Sequence, residues 1–430
     1  MTSHAIAKPR RRGACPGLSA PMSTGDGLLV RLQPTGTITL AAFTALCSAA
    51  RTYGNGVIEI TSRGSIQVRG LGASTAPLFA AAVTALNIAA QDGVAVHCNP
   101  LAGLDVEEIF DSSALAAALR GVIAQHSMGA KLSPKTSIVI DGGGALDLAA
   151  LAADIRLSAR AMNGDVVLRL SVGGDAAQAA DLGAVAPEHG VEAITRLLDV
   201  MAKRGRNIRA REIVAAEGAD VFHAALAGLP LARRDNPRTA SANEPIGLYR
   251  LGAGSLACGI GLPFGHAQAR CLERLADAAL AAGATGFRAA PGRALLTIGL
   301  SETSASALTA AADELGFIVR ADDPRRHVVA CPGSPICASA HIASRALAPL
   351  IAENMTPYLD EGATIHISGC TKGCAQAAAA ALTVVGTPEG AALIADGSPR
   401  DRAYAVAPTH ELLAAITAYL RERKHGAAHV

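Results

Sequence analysis

The chain has 430 residues, half of them apolar, with aromatic residues at only 3% and no Trp, so its length predicts two to four domains with cores of small aliphatic side chains. The formal net charge is +2 and basic residues are spread along the chain apart from a run at 10–12, which argues against nucleic acid as a partner. The longest apolar stretch, 375–395, is interrupted at 387–389, whereas a membrane helix needs roughly 20 apolar residues.

The first 22 residues, MTSHAIAKPRRRGACPGLSAPM, are predicted to form an N-terminal extension. Gly, Pro and Ser follow the arginine run where an export signal would need a continuous apolar segment. We therefore expect a mature cytoplasmic start, with a twin-arginine export signal as the alternative.

Residues 23–95 are predicted to form a first compact unit. It begins with the strand GLLVRL at 27–32, continues with a helix whose apolar residues recur every three or four positions, and ends in the hairpin GVIEITSRGSIQVRGL at 56–71. The unit thus has the order strand, helix, strand, turn, strand, which predicts half of a ferredoxin-like α+β layer.

A second copy of this unit lies 229 residues further along the chain. The segment TGFRAAPGRALLTIGL at 285–300 aligns without gaps to 56–71, so that Ile66 falls on Leu295 and Gly70 on Gly299. A helical pattern precedes it, and we assign IGLYRL at 246–251 as its first strand. Each copy has one apolar sheet face that it cannot cover alone, so the two should pair.

The remaining segments, 96–235 and 313–430, mix apolar strands with Ala-rich helices and are predicted to be two larger α/β lobes. A polar stretch at 232–244 indicates the linker, so that 236–312 comprises the linker and the second half-domain. The predicted fold class is α+β, with duplicated ferredoxin-like half-domains paired into one module between two lobes.

Four cysteines in the last lobe have a distinctive spacing. CPGSPIC contributes Cys331 and Cys337, SGCTKGC contributes Cys370 and Cys374, and 32 residues separate the two pairs. Four thiolates can bind a zinc ion or a 4Fe-4S cube. The C-x5-C spacing is wide for structural zinc, and the Pro- and Gly-rich loops leave backbone N–H groups for cluster sulfurs, so the cube is favoured.

The other five cysteines have no ligand spacing: Cys15, Cys47, Cys98, Cys258 and Cys271. Cys47 and Cys271 lie on apolar helix faces and are interpreted as core residues. Nine cysteines in a long chain of this kind indicate metal ligands and buried thiols rather than a disulfide framework.

The order C-x5-C followed by C-x3-C resembles the sirohaem-dependent sulfite and nitrite reductase superfamily, in which four such cysteines bind a 4Fe-4S cluster and the last bridges to the sirohaem iron. Within it, five segments resemble the precorrin-3B synthase family: ACPGLSAPMSTGDGLLVRL at 14–32, CNPLAGLDVEEIFD at 98–111, LSPKTSIVIDGGG at 132–144, ACPGSPICAS at 330–339 and HISGCTKGCAQ at 366–376. The reductases usually have Pro-Asn inside the second cysteine motif, where this chain has Thr-Lys-Gly at 371–373.

This resemblance implies an oxygenase of aerobic cobalamin biosynthesis. It would use dioxygen and electrons to hydroxylate the macrocycle of precorrin-3A and to close a lactone from a ring acetate, giving precorrin-3B. Because a 4Fe-4S cluster transfers electrons singly and does not insert oxygen, a separate mononuclear iron could be needed. Spacing cannot choose its ligands among residues such as His97 or His366. The chain has no flavin or nicotinamide fold of its own, so we expect electrons from NADH to arrive through an electron-donor protein, with direct contact as the alternative.

The hairpin of the first copy supplies the candidate ligands for the carboxylates of such a ring. Gln67 and Arg69 alternate with apolar residues and so share one sheet face, and Arg63 projects from the turn. The resemblance implies tetrapyrrole binding by Thr61, Arg63, Gln67 and Arg69. The alternative is an exposed hairpin face with ordinary arginines. The second copy has Leu296 and Ile298 at the positions of Gln67 and Arg69.

Three further residues are candidates through the resemblance. Arg31 corresponds to anion-binding arginines of the superfamily, or else lies on an edge strand in water. Lys135 resembles a catalytic lysine that the reductases direct at their substrate, although the second lysine of that motif is replaced here by Ser137. Asn99 could contact substrate or cap the helix that follows it.

Two other functions remain open from the sequence. One is a sirohaem-dependent nitrite or sulfite reductase. The other, outside the enzymes, is a zinc-tetrathiolate scaffold or a tetrapyrrole carrier.

Overall fold

The computed structural model describes residues 16–125, 128–232, 244–355, 358–359 and 362–427. The arginine run, Cys15 and most of the predicted linker lie outside these residues. Within them the chain forms four five-stranded sheets. No helix of the described ranges combines the length and apolar character needed to cross a membrane.

The first half-domain forms one sheet in the order β1-β2-β5-β4 with two helices on one face. Thr39 accepts a hydrogen bond from the Ala42 N–H and so caps the first helix, which buries Phe43 and Leu46 against the sheet. The elements are β1 (Met22–Thr24), β2 (Gly27–Leu32), β3 (Ile38–Thr39), α1 (Leu40–Tyr53), β4 (Val57–Ile60), β5 (Ile66–Leu71) and α2 (Thr75–Ala85).

The first lobe is a mixed sheet in the order β10-β9-β8-β7-β6. Strands β6, β7 and β8 are mutually parallel, while β9 and β10 continue the sheet antiparallel. The elements are β6 (Ala95–Cys98), α3 (Ser112–Gln125), β7 (Ser137–Asp141), β8 (Ala153–Met162), β9 (Asp165–Gly174), β10 (Ala180–Val185), α4 (Gly190–Arg204), α5 (Ala210–Glu217) and α6 (Asp220–Ala225).

The second half-domain repeats the first at the 229-residue offset, and the strand predicted in IGLYRL is present, but its predicted correspondence to GLLVRL was wrong. The counterpart of 27–32 is 256–261, which pairs with the hairpin as β2 pairs with β5, whereas the strand at 247–250 corresponds to β1. The elements are β11 (Gly247–Arg250), β12 (Leu256–Gly261), β13 (His266–Gln268), α7 (Ala269–Ala281), β14 (Gly286–Ala290), β15 (Ala294–Leu300) and α8 (Glu302–Glu314).

The two half-domains exchange strands. Strand β13 of the second half completes the first sheet by pairing with β4, and β3 of the first half pairs with β14. Helices α1 and α7 pack together, and the rings of Phe43 and Phe287 lie 4.7 Å apart. One hydrophobic core therefore extends through both halves, as the predicted pairing requires.

The second lobe has the strand order and directions of the first: β16, β17 and β18 are parallel, and β19 and β20 follow antiparallel. The duplication thus includes the lobes, although the repeat found in the sequence covers only the half-domains. The predicted α+β fold class is confirmed. The elements are β16 (Val328–Ala330), α9 (Ser344–Met355), β17 (Ile365–Ser368), β18 (Ala380–Thr387), β19 (Gly390–Gly397), β20 (Ala405–Ala407) and α10 (Leu412–Ala427).

Candidate functional site

The two cysteine loops leave the same edge of the second lobe. Cys331 directly follows β16, and Cys370 comes two residues after β17, its parallel neighbour. Because the carboxyl ends of adjacent parallel strands meet at one edge, the loops are brought together there. Backbone hydrogen bonds join them: the His341 N–H donates to the Gly369 carbonyl at 2.7 Å.

The sulfur atoms lie in an environment suited to thiolates. The Gly369 N–H donates to Cys331 Sγ at 3.1 Å, although these residues are 38 positions apart. Burial raises the pKa of Cys370, the thiols of Cys337 and Cys331 add to this rise, and the Lys372 backbone N–H opposes it. Cys331 and Cys337 therefore lie close enough to Cys370 to act on its charge, and Cys374 follows in the same loop.

This donor set fits a 4Fe-4S cube. Neither pair forms a disulfide, and each thiol of a cube binds a different iron, so the sulfurs must surround a space rather than converge on one ion. Among the described residues, no three His, Cys, Asp or Glu side chains are arranged around a common ion.

Close packing fixes the shape of the loops. A side chain at Gly333, whose φ is +69°, would put its Cβ 2.3 Å from the Ser344 nitrogen, and one at Gly369 would come 2.6 Å from the Ala340 Cβ. These positions therefore admit no side chain without movement of the cysteine loops.

The arginine-bearing hairpin of the first half-domain contacts the first cysteine loop directly. Arg69 donates to Asp26 through Nε and Nη2 at 3.2 and 3.1 Å, and its Nη2 also reaches the Ile336 carbonyl at 3.4 Å. Gly25, in the turn before β2, packs so closely on 335–338 that a Cβ there would lie 2.7 Å from the Ala338 nitrogen. The first half-domain, including the predicted hairpin, thus contacts the first cysteine loop directly.

A row of polar side chains crosses the buried face of this sheet. Arg31 and Glu59 are the strand neighbours of Gln67. When the amide nitrogen of Gln67 faces Glu59 and its oxygen faces Arg31, the nitrogen donates to Glu59 at 3.0 Å and the oxygen accepts from Arg31 at 2.7 Å. Arg31 lies on β2 beyond the residues that pair with β1, but it is half-buried beside Gln67, which disfavours the alternative of an arginine in water.

The exposed-hairpin alternative is wrong, because Gln67 and Arg69 are 8% and 4% accessible. The charge of Arg69 is further balanced by Glu59, whose Oε1 lies 3.8 Å from Arg69 Nε. Glu59 also forms an ion pair with Arg345 of the second lobe. Substrate binding by Arg69 stays a prediction; the contacts show that it holds the cysteine loop.

Arg63 extends from the hairpin turn into the first lobe. Its Nη2 donates to the Ala152 carbonyl at 2.7 Å, while its Nη1 is buried without a partner among the described residues. Burial lowers the pKa of Arg63, and Arg209 lowers it further. Thr61 shapes this turn by accepting from the Ser65 N–H at 3.0 Å.

Lys135 lies at the same edge of the first lobe. Strands β7 and β8 are parallel with Ile138 opposite Ile155, so Lys135 and Ala152, each three residues earlier, both precede the sheet at its amino edge. Lys135 is exposed. The structure thus places it and the Arg63 guanidinium on one side of the lobe, and its catalytic role stays a prediction.

Asn99 lies at the opposite, carboxyl edge of β6, with its side chain used inside the lobe. Its amide nitrogen donates to the Asp141 carboxylate at 2.9 Å, and its oxygen accepts from the Gly142 N–H at 2.6 Å and from Ser112 Oγ at 3.3 Å. Ser112 begins α3, which favours the structural alternative. Contact with substrate stays a prediction for Asn99.

A cleft of about 90 Å³ lies between the first lobe and the central module and is lined by both Arg63 and Asn99. Arg120 and Arg288 also line it, and no carboxylate of the described residues does. His97 lies in its wall, where burial and the charges of Arg63 and Arg120 lower its pKa to about 3.

His366 is fully buried on β17, and neither ring nitrogen has a partner in the described part of the chain. Burial and the charge of Arg293 lower its pKa to about 4. Neither this residue nor His97 belongs to a described group of three metal-ligating side chains, so the structure does not identify ligands for a separate iron.

Several residues of the site were not identified from sequence. Glu59 could have been found, since it is the one charged residue in VIEI at 57–60 and lies opposite Gln67. Arg209, which forms three hydrogen bonds to the buried Asp154, and Arg345 carry no signal, because tertiary folding brings them to the site from distant positions.

Family models match the first half of the chain. The Nitrite/Sulfite reductase ferredoxin-like half domain matches residues 20–86, and the Nitrite and sulphite reductase 4Fe-4S domain matches residues 90–233. The second match covers the first lobe, whereas the cysteine quartet lies in the second lobe, which has the same sheet topology.

A precorrin-3B synthase from Sinorhizobium sp. is 38% identical over 391 residues, covering 90% of this chain and 83% of the relative. A ferredoxin--nitrite reductase from Synechococcus elongatus is 26% identical, covering 85% and 77%. The solved structure of the Mycobacterium tuberculosis NirA protein superposes with a TM-score of 0.75 at 20% identity, covering 92% of this chain and 80% of that one. The chain therefore belongs to the precorrin-3B synthase family, within the nitrite and sulfite reductase superfamily.

Proposed function

We propose that the protein is an iron-sulfur monooxygenase that converts precorrin-3A to precorrin-3B. The observation that carries the proposal is the direct contact between the cysteine loop and the arginine-bearing hairpin, through Arg69 and the Ile336 carbonyl. A 4Fe-4S cluster bound by the cysteine loop would therefore lie next to a ring whose carboxylates were bound by the hairpin.

The substrate would be held by cations at the junction of the first half-domain and the first lobe. Arg209, Arg31 and Arg156 all lower the pKa of Arg63, while Asp154 is the carboxylate that opposes them. This excess of positive charge, partly buried, suits a ligand with several carboxylates, because guanidinium groups bind carboxylates through paired hydrogen bonds.

Cys331, Cys337, Cys370 and Cys374 would hold the 4Fe-4S cluster. When bound, the cluster would supply electrons one at a time. Insertion of one atom of dioxygen into the product leaves the other as water, which takes two electrons and two protons. We infer that NADH provides the electrons through a separate donor protein, and that a mononuclear iron would contribute at the oxygen.

The chain's own residues would orient the ring. Arg63 and Arg31 would bind its carboxylates, Gln67 would keep Arg31 in position from the neighbouring strand, and Lys135 would place a proton donor at the exposed edge. Asp26 and Glu59 would keep Arg69 against the cysteine loop.

The test is anaerobic purification followed by metal, sulfide and absorption analysis, and then addition of precorrin-3A, dioxygen and a reducing system. We expect iron and acid-labile sulfide, a broad visible shoulder, and a product heavier by one oxygen atom that carries label from ¹⁸O₂. The variant Cys331→Ala should lose iron, sulfide and activity, whereas Cys47→Ala, in helix α1, should keep them. Unchanged precorrin-3A with a fully loaded cluster would refute the proposal.

A sirohaem-dependent nitrite or sulfite reductase is the second candidate, supported by the relatives of those names at 26% identity. It requires bound sirohaem, and therefore strong Soret and red absorption in the purified protein. Reduction of nitrite or sulfite by such a preparation would establish it, while a protein lacking those bands would exclude it. Zinc without iron or sulfide would instead support a scaffold or carrier.

A further inference from the structure

Arg293 is a cation at the boundary of the second half-domain and the cysteine-bearing lobe. It lies in the turn between β14 and β15, and its Nη2 donates to the Ala375 carbonyl at 3.0 Å, one residue beyond Cys374. It also lowers the pKa of His366, four residues before Cys370. The guanidinium is therefore close to both ends of the second cysteine loop.

Its conformation is unfavourable for a side chain. Arg293 has a φ of +67°, and the position that corresponds to it in the first half-domain is a glycine, Gly64. A left-handed backbone costs an ordinary residue about 1 kcal/mol relative to glycine. The neighbouring Gly265 leaves room for the side chain, since a Cβ there would come 2.7 Å from Arg293 Cδ. Such a retained strain indicates a function for the side chain.

Its charge is not compensated within the described residues. Arg69, Arg345 and Arg209 each pair with a carboxylate, but Arg293 forms no such pair, and burial alone lowers its pKa to about 10. The residue keeps partial surface accessibility, yet its guanidinium is strongly desolvated. A desolvated cation without a counter-charge is costly, so an anion near it would be stabilising.

We propose that Arg293 supplies a counter-charge to the 4Fe-4S cluster and thereby sets its reduction potential. A cube bound by four thiolates is anionic and becomes more so on reduction, so a nearby cation favours the reduced form. The inference rests on the cluster of the proposed function. Arg293 is a positioning residue in this scheme, because it acts on the cluster and not on the substrate.

The duplication provides a matched control. Arg63 lies in the equivalent turn of the first half-domain, is also desolvated, and donates to a backbone carbonyl of the other lobe. The two turns touch, since the Gly292 N–H donates to the Ser62 carbonyl at 3.1 Å. Arg63→Gln therefore removes a similar charge from a similar turn, but from a guanidinium that contacts the first lobe rather than the cysteine-bearing lobe.

The experiment compares Arg293→Gln, Arg293→Lys and Arg63→Gln in the full chain, purified anaerobically. Iron and sulfide are measured first, and the midpoint potential of the cluster follows from a dye-mediated titration. For Arg293→Gln we expect a lower midpoint potential. At the wild-type midpoint, the ratio of reduced to oxidised cluster should fall at least tenfold, which is equivalent to a shift of about 59 mV for one electron. Arg293→Lys and Arg63→Gln should stay within about threefold of wild type.

Equal midpoints for wild type and Arg293→Gln would overturn the inference, as would an equal shift in Arg293→Lys, because packing rather than charge would then matter. If Arg293→Gln alone lost the cluster, its lower iron content would support the inference, because the cluster would then need a positive charge at this position. Its loss from both Arg293 variants would assign Arg293 a packing role and overturn the inference. Absence of iron and sulfide from wild type would instead refute the proposed function itself.

Discussion

Asn99 and Cys331 occupy corresponding positions in the two lobes. Each directly follows the first strand of its lobe, each contacts the serine 13 residues later that begins the next helix, and each accepts a hydrogen bond from the N–H of the glycine after the second strand. The cluster edge of one lobe is thus matched in the other by an amide-centred network of hydrogen bonds.

This equivalence predicts that Asn99 stabilises its lobe without affecting the cluster. Asn99→Ala leaves the buried Asp141 carboxylate and the Gly143 and Leu146 carbonyls without their shared donor, which we expect to cost about 3 kcal/mol of unfolding free energy. Chemical denaturation measures this loss. Asn354→Ala, which removes one exposed hydrogen bond, should change stability by less than about 0.5 kcal/mol. Loss of iron from folded Asn99→Ala would contradict the prediction.

The ion pair between Asp26 and Arg69 predicts a pH dependence of stability. Burial raises the pKa of Asp26, but hydrogen bonds from Arg69 and Thr24 and the charge of Arg69 outweigh it, so the pKa is held below its usual value. The carboxylate therefore stabilises the fold fully above about pH 4 and progressively less as the pH falls through the lowered pKa. We expect Asp26→Asn to lose about 2 kcal/mol at pH 7, measured by urea denaturation.

The difference between wild type and Asp26→Asn should narrow as the pH is lowered towards 3. Thr409→Ala, at an exposed turn remote from this pair in the chain, serves as the control and should show no such narrowing. A difference that is constant from pH 7 to pH 3 would contradict the assignment.

Lys135 is predicted to act in turnover rather than in folding. It is exposed, so Lys135→Ala should leave the unfolding midpoint unchanged, while the loss of a positioned proton donor should lower kcat about a hundredfold. Lys131→Ala, four residues earlier and equally exposed, should retain kcat within about twofold. Equal rates for the two variants would remove Lys135 from the catalytic residues.

Removal of the cluster should expose a defined set of thiols. In the loaded protein Cys331, Cys337, Cys370 and Cys374 would be bound to iron and resist alkylation. After oxidative removal with a chelator, mass spectrometry should show Cys374 modified first, since it is the most accessible of them.

Cys47 is the control for this experiment. It is fully buried, and burial raises its pKa far above the usual value, so it should stay unmodified with or without the cluster. Alkylation of Cys374 at the same rate before and after iron removal would show that it is not a cluster ligand.

The sequence predicted features that repeat or that have fixed spacing. The hairpins at 56–71 and 285–300 were identified because glycine and apolar positions recur at one offset, and the cysteine loops because ligand spacing is local. The strand at 256–261 was missed because IGLYRL at 246–251 resembles GLLVRL more closely in residue order. IGLYRL does form a strand, but its place in the sheet is that of β1.

The charge network could not be predicted from sequence. Glu59 meets Arg345 across 286 positions, and only the packing of the second lobe on the first half-domain determines this pair. Arg293 was overlooked because the repeat aligns it with Gly64. The first copy has no arginine at that position, so Arg293 resembled an ordinary turn residue. Asn99 resembled a ligand because its motif matched a family segment, while its hydrogen bonds depend on the lobe duplication.

Each half-domain contributes one strand to the sheet of the other, β13 to the first sheet and β3 to the second. This exchange has a consequence for a half-domain on its own. One half-domain by itself would present an incomplete sheet and an open core surface, and two identical copies could satisfy each other only by trading these strands about a twofold axis. A single half expressed alone should thus be found as a swapped homodimer or as aggregate. In the full chain each half supplies the strand that the other lacks, while the lobes differ at matching positions, with Cys331 in one and Asn99 in the other.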